Sequence, residues 1–320
     1  MMRAVLAQNS KPVIVDIPTP EPRPDELLIR VRATALNRAD LLQVRGLYPP
    51  PPGSPDTLGL ELAGEVVTVG GDVRSFRPGD RVMALVGGGG YAEYAAVPAG
   101  HCIPVPATLT DAQAAAVPEA FLTAYSNLIE FGGMSSADKV LIHAGASGVG
   151  LAGIQIARIA ASKVAVTASA AKHALCKENG AHLTIDYKTE NFAEIICAQW
   201  AGVDLIMDMV GAPYWDDNVR VLNPYGRIVL VGTQGGSVKE VNFGDIMRKR
   251  LKVMGSTLRS RTYDEKSQLI ANFWQWAAPH FQESRLKPVV WRTLPLEQVE
   301  EALRLMSENA NAGKIVLVID

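Results

Sequence analysis

Nowhere does the chain run through eighteen apolar residues without a break, and no basic stretch leading into a long apolar run opens it. Neither a membrane-spanning helix nor a secretion signal is therefore expected. Cysteine is scarce: Cys102, Cys176 and Cys197 are odd in number and unpatterned, which speaks for reduced, buried thiols in a cytoplasmic protein rather than a disulfide framework. An excess of one charge is lacking too, since 31 basic and 33 acidic residues leave a net charge of −2 and no overall field to hold nucleic acid or an anionic membrane. Metal-ligand spacing is also missing. His101, His143, His173, His182 and His280 form no His-x-x-x-His pair, and no cysteine quartet follows Gly87 to Gly90.

What is present is a globular composition, 48% hydrophobic and 20% charged, over 320 residues, enough for two domains with their own cores. One stretch organises the rest. Val140, Leu141 and Ile142 suit a buried parallel strand, the segment around Ile154, Ile156 and Ile159 suits a helix packed on a sheet, and Gly145, Gly148 and Gly150 stand between them. Strand, glycine turn and helix in that order place a pyrophosphate at the first free N–H groups of the helix.

The spacing here, Gly-x-x-Gly-x-Gly, departs from the common dinucleotide fingerprint, and the sequel strengthens the reading. Strands are expected over 164–167, 183–185, 203–208, 227–231 and 251–255, alternating with helices over 170–179, 192–200, 214–222 and 243–249. With the first strand these make a doubly wound, six-stranded parallel sheet of the Rossmann type, and an α/β protein.

From Met1 to about Pro118 the texture is mostly β, with only 39–45 looking helical. Leu27 to Ala33 alternates Arg30 and Arg32 with apolar residues, so one face meets water. Runs at 62–69, 81–86 and 91–97 suggest a closed or strongly bent β-domain, with Gly87 to Gly90 read as a flexible turn in preference to a point of close approach. After Gly255 a helix over 262–277, a strand over 288–290, a helix over 297–307 and a strand over 315–319 are too few for a third core. The expected division is a catalytic domain over 1–121, a dinucleotide-binding domain over 122–258, and a segment 259–320 returning to the first.

The stretches from Ala35 to Asp40, Gly46 to Pro51, Leu58 to Gly64, Pro78 to Val82, His143 to Gly150, Leu258 to Arg261 and Gly313 to Val316 together resemble the zinc-free quinone oxidoreductase branch of the medium-chain dehydrogenase/reductase superfamily. Within that branch they look most like the tumour-suppressor-inducible enzymes of animals. The resemblance spans essentially the whole chain and implies a GroES-like catalytic domain, a Rossmann domain, NADPH as hydride donor and a homodimer or homotetramer. Where many relatives have Ala-x-x-Gly-x-x-Gly, this chain has Ala144, Ser147 and Gly150, and the Ser147 hydroxyl either meets the pyrophosphate or simply caps the helix. The zinc-dependent members carry Cys and His ligands at positions held here by Asn37 and Leu60, which implies catalysis without metal.

Cofactor type is read at the end of the second strand, where an NAD enzyme places a carboxylate and this chain has Thr167, Ala168 and Ser169. Ser169 can cap the next helix while its N–H groups and Lys172 receive a 2′-phosphate. Lys172 and Tyr187 match the residues that bind that phosphate in the family, so NADPH is expected over NADH. The resemblance adds Val149, Gly232 and Asn311 as cofactor contacts, Thr123 against the nicotinamide, and Asn37 and Tyr48 as the polar groups at the cofactor or the hydride acceptor, Tyr48 binding the cofactor as well as serving catalysis. Two alternatives stand beside quinone reduction: reduction of activated alkenes such as enals or enoyl thioesters, and NADPH binding without turnover. The 251–255 strand, outermost in the sheet, offers an uncovered edge for self-association.

Overall fold

The computed structural model describes residues 1–320, and the chain divides into two compact units, Met1–Leu122 with Arg259–Asp320, and Thr123–Leu258. In the first unit β1 (Met2–Gln8) and β2 (Lys11–Ile17) form an antiparallel hairpin. Its two turn residues, Asn9 and Ser10, both take left-handed φ (51° and 58°), as a tight hairpin demands. The main sheet begins with β3 (Glu26–Ala35), followed after α1 (Arg38–Val44) by β4 (Glu61–Val69), β5 (Arg81–Leu85), β6 (Tyr94–Pro98) and β7 (Cys102–Pro104). β3 pairs with β4 along its length and with β6 along its first half. Its alternation is as the sequence implies: Leu27, Ile29 and Val31 are buried in the core, while Arg30 is exposed and Arg32 reaches Glu65.

The glycine run is a correction to the expected flexible turn. Gly88 to Gly90 are buried, and a Cβ on Gly88 or Gly90 would lie 2.4 Å from the Pro55 carbonyl or 2.6 Å from the Glu61 carbonyl. The run is a close backbone approach that packs the 54–61 segment. α2 (Asp111–Ala115), started by a Thr110 capping box, is a second helix in a stretch that reads as mostly β.

α3 (Pro118–Tyr125) carries the boundary between Leu122 and Thr123. The second unit then alternates strictly: β8 (Lys139–Ile142), α4 (Gly148–Ile159), β9 (Lys163–Ala168), α5 (His173–Asn179), β10 (Leu183–Asp186), α6 (Phe192–Trp200), β11 (Val203–Asp208), α7 (Trp215–Val221), β12 (Leu222–Leu230), α8 (Phe243–Lys249) and β13 (Lys252–Gly255). The six strands are all parallel, in the order β10-β9-β8-β11-β12-β13. Both halves wind outward from β8 and β11, the doubly wound arrangement. Leu141, Ala165, Ile185, Ile206 and Ile228 of the strands pack with Phe192, Ile196 and Val219 of α6 and α7. Cys197 is not buried with the other two cysteines. It stands exposed on α6, one residue past the inward Ile196.

The chain re-enters the first unit with α9 (Tyr263–Gln282), which continues past the expected end with Pro279 inside it, because buried Phe281 stacks among Phe121, Phe273 and Trp274. β14 (Val290–Pro295), α10 (Val299–Ser307) and β15 (Lys314–Val318) follow. β14 lies further along than the 288–290 run suggested, in register with β15. β15 pairs with the second half of β3, so the bent sheet reads β14-β15-β3-β4-β5-β7 with β6 added on β3. No helix is long and apolar enough to cross a membrane.

Candidate active site

In the second unit the expected cofactor residues gather at the carboxyl ends of parallel strands, where ligands bind in open α/β sheets. Gly145, Ser147, Gly148, Val149 and Gly150 follow β8, Ser169 and Lys172 follow β9, Tyr187 follows β10, and Gly232 follows β12. Ser147 is the N-cap of α4, its Oγ accepting the Gly150 N–H at 3.0 Å. The N–H groups of Gly148 and Val149, first in the helix, have no intrahelical acceptor and are the natural anion donors. Gly150 has no room for a Cβ, which would sit 2.5 Å from the Ala144 carbonyl. Ser169 stands at the N-cap of the short turn before α5, but its hydroxyl makes no capping bond, leaving that oxygen uncommitted to the helix. Tyr187 is 46% exposed. Thr123 lies on α3, its carbonyl accepting from Ser126 Oγ and Asn127 Nδ2, and no hydrogen bond ties it to the glycine turn.

A buried network that the sequence did not reveal fixes the turn. Ala144 N–H donates to Thr167 Oγ1, which lies 3.0 Å from His143 Nδ1. His143 Nε2 lies 2.7 Å from Asn218 Oδ1, and Asn218 Nδ2 donates to Asp208 Oδ2. Asp208 Oδ1 in turn accepts the N–H groups of Val210 and Gly211. The Asn218 amide, oriented by Asp208, assigns the imidazole proton to Nε2 and makes Thr167 the donor to Nδ1. Burial lowers the His143 pKa against the opposing pull of Asp208, so the ring is a neutral linker. The network joins the ends of β8, β9 and β11, and so holds Ala144 in its left-handed conformation (φ 52°). Only a histidine directly before a glycine turn hinted at it.

In the first unit the structure brings Asn37 into a cluster of buried charges. Lys314 Nζ donates to Asn37 Oδ1 (2.7 Å), Glu61 Oε1 (2.7 Å) and the Leu36 carbonyl (2.6 Å). Asn37 Nδ2 donates to Glu61 Oε1 and the Ala35 carbonyl, so both its hydrogens are committed within the protein. Glu61 Oε2 accepts the backbone N–H of Glu119. Asp40 Oδ2 accepts from Asn37 N–H and the Tyr91 hydroxyl, while Asp40 Oδ1 is buried without a partner. Burial drives the Asp40 carboxyl up to about 6 despite those donors. Burial first and the Glu61 carboxylate second push Glu119 up to about 8, although that residue keeps part of its surface exposed. Glu119 is therefore a neutral acid near pH 7.

Tyr48 lies half-buried beside this cluster, its phenol raised by burial and by Glu119 and drawn back by Arg259. Asn311 Nδ2 donates to the Gly313 carbonyl, one residue before Lys314. Sequence reasoning missed Lys314, Glu119 and Arg259. Arg259 and Lys314 lie in stretches that carry the family resemblance, but nothing in those stretches gives either residue a role.

Two family patterns match the chain, the alcohol dehydrogenase GroES-like domain over residues 23–107 and the zinc-binding dehydrogenase over residues 148–275. The chain is 33% identical to the human (Homo sapiens) quinone oxidoreductase over 313 residues, covering 95% of this chain and 92% of that one. To the rat (Rattus norvegicus) synaptic vesicle membrane protein VAT-1 homolog it is 34% identical over 317 residues, covering 93% and 78%. A crystal structure of a quinone oxidoreductase from Pseudomonas syringae pv. tomato superposes over the whole of both chains with a TM-score of 0.90 at 28% identity. The chain belongs to the medium-chain dehydrogenase/reductase superfamily, whose quinone oxidoreductase branch it fits. It is an oxidoreductase of the kind that uses a nicotinamide cofactor.

Proposed function

We propose that the protein reduces quinones with NADPH and without a metal. The observation that carries this reading is the ammonium of Lys314, held at 2.6 to 2.7 Å by three oxygens that include Asn37 Oδ1, at a position where zinc-dependent relatives hold a ligand. A protein cation fixed there supports hydride transfer without a Lewis acid, to an acceptor that is electron-poor in itself. A quinone meets that condition because its reduced form is aromatic. Bound NADPH supplies a hydride. The chain's own work is to bind and orient: Gly148 and Val149 N–H groups at the pyrophosphate, Ser169, Lys172 and Tyr187 at the 2′-phosphate, with Tyr48 closing on the rings. The unpaired thiols fit a reducing compartment such as the cytoplasm, and the exposed edge of β13 fits a homodimer or homotetramer.

One observation favours a second reading. Glu119 is a carboxyl held protonated near neutral pH, and reduction of an activated alkene needs a proton at the α-carbon after the hydride. An acceptor screen following NADPH absorbance, with ortho- and para-quinones beside enals and enoyl thioesters, separates the two. Turnover of quinones alone, undiminished by exhaustive chelation, is the expected result, and preferential turnover of enals would put the second reading first.

A further inference from the structure

Arg259 is the first residue of the segment that returns to the first unit, and it is only 6% exposed. Its guanidinium spends its donors on three separate pieces of chain. Nη1 donates to the Tyr48 carbonyl at 2.8 Å, Nη2 to Gln43 Oε1 at 2.6 Å and to the Gly87 carbonyl at 2.8 Å, and Nε to the same Gly87 carbonyl at 3.1 Å. The cation also lies 4.8 Å from the centre of the Tyr48 ring. Its own carbonyl is held by Lys266 Nζ at 2.9 Å, so the anchor is itself anchored to α9.

The segment it holds has little else to hold it. From Gly46 to Gly53 the backbone belongs to no helix or strand, Leu47 is 69% exposed, and Gly46 and Gly53 at its two ends both take left-handed φ. The four prolines between them, Pro49 to Pro52, lack N–H donors. Proline stiffens the run itself, but with no ladder bonds to a neighbouring strand it can swing as a unit unless something pins it.

We propose that Arg259 is the positioning residue of the Tyr48 loop, fixing both the backbone and the ring of Tyr48 in the place where the reacting rings are received. The fork geometry is the reason for arginine. A lysine ammonium can sit over the ring or meet one carbonyl, but it cannot bridge Gly87, Gln43 and Tyr48 in one plane. The proposal rests on the reading of Tyr48 as a site residue, and its test keeps the two apart.

Arg259→Lys and Gln43→Ala are compared with the unmodified chain by chymotryptic cleavage at the Leu47–Tyr48 bond, a readout that needs no substrate. Turnover with NADPH and a quinone is then measured in a double-mutant cycle against Tyr48→Ala. Cleavage should accelerate several-fold in Arg259→Lys and less in Gln43→Ala. The apparent KM for coenzyme or quinone should rise about tenfold with kcat changed far less, and that effect should largely vanish in the Tyr48→Ala background. Unchanged cleavage in both variants, or an Arg259→Lys effect on KM that persists in full without Tyr48, overturns the proposal. Accelerated cleavage with no change in KM, in Arg259→Lys and in Tyr48→Ala alike, upholds the anchor and overturns the placing of Tyr48 at the site.

Discussion

Lys314 Nζ stands 2.7 Å from Glu61 Oε1, and the two side chains are 6% and 0% exposed, an ion pair closed off from water. Breaking such a pair from one side is costly because a charge is left buried without its partner. Lys314→Met should therefore destabilise the protein by about 3 to 5 kcal/mol. Adding Glu61→Gln should restore a good part of the loss. Urea unfolding of both variants checks this, and a double variant as unstable as Lys314→Met would show that the charge itself matters little.

The raised carboxyls give a pH dependence with a definite sign. Glu119 titrates from 4.5 in an unfolded chain to about 8 when folded, so between those values the folded state holds the extra proton. Stability from this group is whole below about pH 4.5 and lost as pH rises through 8. Glu119→Gln should flatten the decline between pH 5 and 8 relative to the unmodified chain. Urea midpoints across that range, parallel for the two proteins, would contradict it.

Coenzyme choice rests on the end of β9, where no carboxylate stands and Lys172 follows Ser169 by less than one turn. NADPH should bind much more tightly than NADH, and Lys172→Ala should lose about 1.5 to 3 kcal/mol, roughly one to two decades of NADPH affinity. Fluorescence titration with both coenzymes decides it. Equal affinities in the unmodified protein would dispose of the assignment.

β13 is the outermost strand of its sheet, with Val253 40% exposed and Phe243 and Met247 of α8 71% and 76% exposed. An open edge with apolar neighbours is a template for a second copy about a two-fold axis. A Val253→Lys substitution should shift the mass measured by light scattering toward the monomer. A monomeric mass in the unmodified chain at micromolar concentration would count against pairing altogether.

If Tyr48 serves by orientation, Tyr48→Phe keeps the ring and removes one hydrogen bond, about 0.5 to 1.5 kcal/mol or at most roughly tenfold in kcat/KM. Steady-state kinetics with a quinone measure it. A drop of about a thousandfold in kcat with unchanged binding would instead mark Tyr48 as a general acid.

The parts legible in the sequence were those whose signal is local. Gly145 to Gly150 and the alternation of short apolar runs with helices announced the doubly wound sheet, the end of its second strand pointed to Ser169 and Lys172, and Tyr187 and Gly232 came only from the family resemblance. The hairpin of β1 and β2 escaped because Asn9 and Ser10 lack the glycine that usually marks such a turn. The charged cluster escaped for another reason. Lys314 and Glu61 are 253 positions apart, and nothing in the run Gly313 to Val316 says which carboxylate the lysine meets. Arg259 likewise finds Tyr48 at a separation of 211, and Gly87 to Gly90 look like a loose turn until Pro55 and Glu61 are seen against them.

The pairing of β15 with β3 sets an order of events during synthesis. Thr123–Leu258 holds all six strands of its own sheet and has every partner it needs once that stretch has left the ribosome. The first unit, begun earlier, must wait for its last strand, and until Lys314 emerges Glu61 and Asn37 have no cation to meet. Closure over so many residues is slow, and an unfinished sheet edge at β3 is exposed for all that time. The unit that is made first should therefore mature last, and nascent chains halted before residue 314 should be the form most in need of a chaperone.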